Sequence, residues 1–287
     1  MPSAVDSKSV LDRAGLAAKK SWGQNFLRDQ NILRQIAATA AIGPLQPCVE
    51  LGAGVGALTQ HLLERGAPLT AVERDRDLIP VLRDLFGENP SFSLLEADAA
   101  EIDYPALAAR SGERLVVAGN LPYHLSGRIL VAVADNVAAI RRAVFLVQRE
   151  VAQRLAAAPG GREYGLLTVL VQRHFTVEVV RQVPPGAFHP PPKVKSAVVR
   201  LDAKAEVAGP KIDAALVATA RAAFSTRRKT LRNALKRSLG SPSAVVEAAL
   251  AEAGLAGSNR AEQLAIADFA RLGVALQAAG LLDGARR

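Results

Sequence analysis

Between residues 47 and 150, short apolar runs alternate with amphipathic ones, and this alternation limits the fold more than any other feature of the chain. "PCVELG", "PLTAVERD", "FSLLEAD", "RLVVAGN" and "RRAVFLVQRE" read as five strands. "GALTQHLLERG", closed by Gly66, and "RDLIPVLRDLFG" have helical spacing. Strands separated by helices pair in parallel, with both faces of the sheet covered. After Val151 the pattern changes. "FTVEVVRQV" and "SAVVRLDA" are long β-like runs with only the proline-rich "PPGAFHPPPKVK" between them, which predicts an antiparallel edge. Lys204 to Pro210 reads as a linker. Beyond it, "DAALVATARAAF", "KTLRNALKRSL", "SAVVEAALAEAG" and "LAIADFARLGVALQAAG" all read as helices. The expected fold class is α/β with an antiparallel edge, plus a small C-terminal all-α domain. The expected domains are residues 1–205 and 206–287.

"VELGAGVGALTQHLL" places Gly52, Gly54 and Gly56 between the first strand and its helix. Small residues there let backbone approach a ligand, and the helix start offers free N–H groups. A tight strand-to-helix turn explains the glycines equally well. The spacing is G-x-G-x-G, with Ala57 where a dinucleotide fingerprint has its third glycine. No G-K-[ST] follows, which excludes a P-loop. Glu73 closes the second strand about twenty residues on, where an acid suits the hydroxyls of a ribose. Asp98 ends the third strand, where it could meet the amino group of an adenine. Either acid alone could be a strand-end charge or a cap. Together they describe a nucleoside-type ligand without a diphosphate, and S-adenosylmethionine fits better than NAD.

"AGNLPYHLSG" follows the fourth strand, so Asn120 falls on the same sheet edge as Gly52, Glu73 and Asp98. "NLPY" resembles the [DNS]-P-P-[YFW] motif of methyltransferases that act on exocyclic amino groups of nucleic-acid bases. Taken with "KSWGQNFLRD", "FHPPPKVKSAVV" and "FSTRRKTLRNAL", the chain resembles the small-subunit ribosomal RNA adenine dimethyltransferases from about Lys19 to the last helix. Trp22 stands where that family often has Phe, and Ala53 departs from its G-P-G loop.

The resemblance implies a Rossmann-like, S-adenosylmethionine-dependent methyltransferase sheet with an N-terminal lid at about residues 8–28. It implies cofactor contacts at Asn25, Leu27, Gly52, Gly54, Glu73, Asp98 and Asn120. The catalytic set it implies is Asn120, Leu121, Pro122, Tyr123 and Phe188. The Asn120 side-chain oxygen and the Leu121 carbonyl would orient an adenine N6, a poor nucleophile because its lone pair is delocalised. Pro122 would fix the turn, and Tyr123 and Phe188 would grip the base by stacking. Such a reaction relies on positioning and needs no metal. The implied substrate is two adjacent adenosines in a hairpin loop near the 3′ end of the small-subunit RNA, each receiving two methyls. A role in small-subunit assembly comes with it. Rival readings are the large-subunit adenine methyltransferase of macrolide resistance, a non-catalytic assembly factor and, more distantly, a dehydrogenase.

The net charge is +9, which suits either a polyanionic partner or a soluble surface. Arg227, Arg228, Lys229, Arg232, Lys236 and Arg237 sit in "STRRKTLRNALKRSL", and all but Arg227 are read as one side of a helix opposite Leu231, Leu235 and Leu239. The first five of these cations are the expected RNA contacts, through phosphates. His61, His124 and His174 suggest no partner, and His189 suggests structure or RNA. Cys48 is the only cysteine, so no intrachain disulfide is possible and a buried, inert thiol is expected. The N-terminus lacks the apolar core of a signal peptide, and no apolar run approaches the ~18 residues of a membrane span. A cytoplasmic monomer, partnered with the small ribosomal subunit and its RNA, is expected.

Overall fold

The computed structural model describes residues 5–19, 22–206, 208–226 and 228–282. The chain divides into two compact units, Met1–Ala152 with Phe175–Ala203, and Gln153–His174 with Lys204–Arg287.

The first unit is built on a seven-stranded sheet. Its strands are β2 (Cys48–Leu51), β3 (Leu69–Glu73), β4 (Phe92–Glu96), β5 (Leu115–Asn120), β6 (Ile140–Gln148), β7 (Phe175–Val183) and β9 (Ser196–Ala203). The order is β4-β3-β2-β5-β6-β9-β7. The first five run parallel. Strand β9 runs antiparallel between β6 and β7, which makes the antiparallel edge expected from the sequence. The order reverses between β2 and β5, and open sheets of this kind take ligands at the carboxyl ends of the strands flanking the reversal.

Helices α3 (Ala57–Leu63), α4 (Ile79–Phe86), α5 (Tyr104–Ser111) and α6 (Ser126–Asp135) fill the connections. Before them lie α1 (Ser7–Ala14), β1 (Phe26–Leu27) and α2 (Gln30–Ala40). Asp29 caps α2, its Oδ1 accepting from the N–H of Asn31 at 2.9 Å and of Ile32 at 3.2 Å. The inner strands are apolar along their length because both faces are covered. Val116, Val117, Val144 and Leu146 are all fully buried. Cys48 is buried there too, and burial pushes its thiol up, which keeps it inert.

A two-residue strand, β8 (Phe188–His189), pairs antiparallel with β1, setting Leu27 opposite Phe188 and Phe26 opposite His189. The N-terminal segment is thereby joined to the proline-rich loop. At Gly119, a Cβ would stand 2.5 Å from the Leu51 carbonyl oxygen. Only glycine lets β5 close this tightly on β2 one residue before Asn120.

The second unit holds α8 (Leu166–Gln172), α9 (Pro210–Ala223), α10 (Leu231–Leu239), α11 (Ser243–Glu252) and α12 (Ile266–Ala278). Helix α7 (Arg149–Leu155) is divided between the units. The sequence predicts a first domain unbroken to residue 205, and the structure corrects this. Tyr164 and Val169 belong to the same apolar core as Leu216, Leu231, Leu235 and Phe269. Residues 153–174 therefore group with the helices. Asp213 accepts from Arg173 Nε at 2.9 Å and stands 3.1 Å from His174 Nε2, so His174 has a partner after all. His61 has two, Gln30 Oε1 at 2.8 Å and Glu64 Oε2 at 3.0 Å.

Candidate active site

A cleft of about 260 Å³ lies at the carboxyl ends of β2, β3, β4 and β5. Its lining includes Asn25, Leu27, Gly52, Gly54, Glu73, Asp98, Asn120, Leu121, Pro122 and Tyr123. These sequence-predicted residues come together; Phe188 is absent from the lining.

The glycine loop turns in the left-handed region, with φ of 72° at Gly52, 60° at Gly54 and 83° at Gly56. At Gly56 a Cβ would also stand 2.3 Å from Phe86 Cε2, so the ring would have to shift to admit one. Glu73 ties this loop to β3. One carboxylate oxygen accepts the Gly54 N–H at 2.8 Å. The other accepts the N–H of Arg74 at 2.9 Å and of Asp75 at 2.8 Å. A carboxylate has about four acceptor positions, so roughly one remains for a ribose hydroxyl. Burial lifts Glu73 above the ordinary carboxylate range, against the pull of those three N–H groups. Asp98 accepts the Ala100 N–H at 2.9 Å on one oxygen and Arg74 Nη1 at 3.0 Å on the other. Asp98 lines the cleft and keeps acceptor capacity beyond these two bonds.

The asparagine turn is held at every position. Asn120 Nδ2 donates to the Asn25 carbonyl at 2.8 Å, across 95 positions of chain. A carbonyl can only accept, so this bond fixes which way the amide faces. Its Oδ1 takes no donor among the described residues. The Leu121 N–H continues the ladder to the Leu146 carbonyl at 3.1 Å. The Pro122 carbonyl accepts the Leu125 N–H at 3.0 Å, which closes the turn before α6. Tyr123 Oη lies 2.7 Å from Ser196 Oγ on β9, which pins the ring in the cleft wall. Burial raises the Tyr123 phenol, so it stays neutral at physiological pH.

Phe188, the expected second stacking partner, is buried in this structure. It is 3% exposed, in the core that includes Leu27, Leu33, Ile36, Leu146 and Val198. It stands opposite Leu27, which itself lines the cleft, so Phe188 packs behind the lining and does not form it. The expected placement of the basic residues on one helix needs a correction. Arg228 and Lys229 precede α10 instead of riding on it, because Arg228 is left-handed with a φ of 67° and the helix starts only at Leu231. Arg232 and Lys236 are on the helix, with Leu231 and Leu235 buried on the opposite face. Arg232 is engaged by Glu247 at 2.9 Å. Arg227 lies outside the described residues.

The structure adds Glu50, which the sequence did not single out. It lines the cleft two positions before the loop and is 1% exposed. Thr59 Oγ1 donates to it at 2.6 Å. Burial pushes its carboxyl up to about 8, against the Thr59 bond. An acid inside an apolar strand run was the available signal. A carboxyl held above its ordinary value keeps a proton in the folded chain that the unfolded chain has lost. Its contribution to stability therefore falls as pH rises from about 4.5 to about 8. Glu50→Gln, which stays neutral, is expected to flatten this decline. Thermal unfolding at intervals from pH 5 to pH 9 checks it, and equal slopes in variant and wild type would remove Glu50 as the cause.

Among the described residues, no three His, Cys, Asp or Glu side chains stand close enough to hold a metal ion. None of the described helices is long and apolar enough to cross a membrane.

Comparison with known proteins finds similarity along most of the chain. The family model described as "Ribosomal RNA adenine dimethylase" matches residues 15–277. A protein of Anaeromyxobacter dehalogenans (strain 2CP-C) named "Ribosomal RNA small subunit methyltransferase A" is 52% identical over 281 residues, covering 94% of this chain and 97% of its own. A Myxococcus xanthus (strain DK1622) protein of the same name is 44% identical over 272 residues, covering 94% of each chain. The crystal structure of a dimethyladenosine transferase from Plasmodium falciparum is similar with a TM-score of 0.74 and 25% identity, over 89% of this chain and 98% of that one. The 23S rRNA methyltransferase ErmE gives a TM-score of 0.67 and 28% identity, over 88% of this chain and 100% of that one.

Proposed function

The chain belongs to the ribosomal RNA adenine dimethylase family, and on that premise we propose that it transfers methyl groups from S-adenosylmethionine to N6 of two adjacent adenosines in the 3′-terminal hairpin loop of small-subunit ribosomal RNA. One observation carries the chemistry. Asn120 spends its N–H on the Asn25 carbonyl at 2.8 Å, so its oxygen faces the cleft as an acceptor.

That oxygen and the Leu121 carbonyl accept the two N6 hydrogens of an adenine and turn its lone pair toward the donor. Pro122 keeps the turn rigid and offers no competing N–H. The Tyr123 ring, pinned through Ser196, supports the base on its flat face. Residues also present themselves for the cofactor. Glu73 and Asp98 offer acceptors for the ribose hydroxyls and the adenine amino group, and Glu50 offers a buried carboxyl to the methionine ammonium. Gly52 and Gly54 leave the backbone open beside them, while Asn25 and Leu27 close the side. When bound, S-adenosylmethionine supplies an electrophilic methyl on a sulfonium: the C–N bond forms as the C–S bond breaks, a neutral thioether leaves, and the N6 proton passes to water. The protein contributes position and electrostatics, with no strong base.

The same reading makes the small ribosomal subunit the partner, and the cytoplasm the place where a monomer meets it. Exposed Arg228, Lys229 and Lys236 suit phosphates. Affinity for the RNA is expected to fall steeply with salt. In a Lys229→Ala, Lys236→Ala double variant the log–log slope is expected to shrink by about one per lost phosphate contact; an unchanged slope would take both lysines out of the interface.

The test uses labelled S-adenosylmethionine with small subunits that lack the modification, and large subunits in parallel. RNA from each is digested to nucleosides. Label in dimethyladenosine from the small-subunit RNA is expected. Label confined to the large-subunit RNA would transfer the activity to that substrate, and cofactor binding with no label in either would leave a non-catalytic assembly factor.

A further inference from the structure

Trp22 is the only tryptophan in the chain and sits in the N-terminal segment that borders the cleft. Two cations attend its ring, Arg74 with Cζ 4.6 Å from the centroid and Lys19 with Nζ at 5.0 Å. Both also tie the segment to the sheet. Lys19 Nζ bridges Asp75 at 2.5 Å and Asp77 at 2.7 Å. Gln24 Nε2 adds a bond to Asp75 at 2.8 Å. Arg74 is the residue directly after Glu73, and its Nη1 reaches Asp98 at 3.0 Å. Its guanidinium therefore extends from the expected ribose acid to the expected base acid, across the line an adenine must follow. Guanidinium is planar, weakly hydrated and stacks on aromatic rings, which an ammonium does not do.

We propose that Arg74 and Trp22 hold the cofactor's adenine as a stacked pair, and that this stack couples the N-terminal segment to cofactor binding. The proposal rests on reading the cleft as the S-adenosylmethionine site. A base lying between Glu73 and Asp98 lays one face on the guanidinium, whose other face carries Trp22. The adenine amino group shares the Asp98 carboxylate with Nη1, because two parallel planes can reach one carboxylate. Arg74 is thus a binding residue for the base, and Trp22 registers its arrival.

The experiment titrates S-adenosylhomocysteine into the full chain, following calorimetric heat and tryptophan emission together. In the wild type, emission is expected to change saturably, with the calorimetric midpoint. Adenosine alone is expected to move the emission and homocysteine alone to leave it still. Arg74→Lys keeps the charge and the reach to Asp98 but loses the plane. It is expected to bind about tenfold more weakly, 1.4 kcal/mol, and to lose most of the emission change. The Arg74 side chain is half-exposed, and thermal unfolding confirms that the variant is folded. Wild-type affinity and emission in Arg74→Lys would overturn the proposal, as would calorimetric binding to the wild type with silent emission. Absence of calorimetric binding would instead remove the cofactor reading, and the proposal with it.

Discussion

An Asn120→Ala variant is expected to fold, to bind S-adenosylhomocysteine within a few-fold of the wild type, and to lose at least about 100-fold in methyl transfer. Removing one preorganised hydrogen-bonding group aimed at the reacting centre costs on the order of 10² to 10³ in turnover. On the proposed mechanism Asn120 is such a group: its N–H is committed to the Asn25 carbonyl and its oxygen has no donor among the described residues. Asn120→Asp isolates the role of that commitment. An aspartate keeps an acceptor for the adenine but sets an oxygen against the Asn25 carbonyl, where 2.8 Å now separates a donor from its acceptor. Two acceptors repel at that distance, so the carboxylate turns away and activity is expected between those of wild type and alanine variant. Single-turnover transfer to undermethylated small subunits, beside calorimetry, separates chemistry from binding. Wild-type single-turnover rates in Asn120→Ala would end its proposed role.

The second large effect concerns stability. Phe188 is 3% exposed in the core beside β1, and emptying such a site costs about 3–5 kcal/mol. Phe188→Ala is therefore expected to lower the denaturant midpoint sharply, with transfer activity lost in proportion to the unfolded fraction. Phe188→Leu keeps most of the volume, and is expected to cost less than about 1.5 kcal/mol while retaining transfer. An alanine variant with wild-type stability and little transfer would return Phe188 to the role of a stacking partner.

These two residues also show what is legible in a sequence of this kind. Asn120 ends a six-residue apolar strand, and a parallel sheet sends all such ends to one edge. Glycines, acids and asparagine can be aligned from strand ends alone, since each strand is long enough to display itself. Phe188 lies in a two-residue strand, where alternation carries no information about which face a side chain takes. Its direction comes from pairing with Leu27, 161 positions away by subtraction of their numbers. Glu50 hides for a similar reason: every position of β2 is buried, so an acid there looks like a strand interruption until the Thr59 bond is seen. The start of α10 escapes the sequence because a left-handed Arg228 leaves no trace in residue type. Grouping residues 153–174 with the helices requires the packing of Tyr164 and Val169 against distant apolar side chains.

The place of β9 has a consequence for how the chain is made. Strand β9 is the last of the sheet to be synthesised, yet it lies between two strands made earlier. The sheet cannot zip in the order of translation. While β7 emerges it has no neighbour, since it pairs with β9 alone, and the outer edge of β6 stays bare. An open strand edge invites pairing with another chain. Residues 196–203 cover the outer edge of β6 and the inner edge of β7 in a single event, leaving β7 as the margin of the sheet and delivering Ser196 to Tyr123. The nascent chain thus covers two bare strand edges and leaves one, that of β7, over eight residues, and the Tyr123 side of the cleft wall is fixed in the same step.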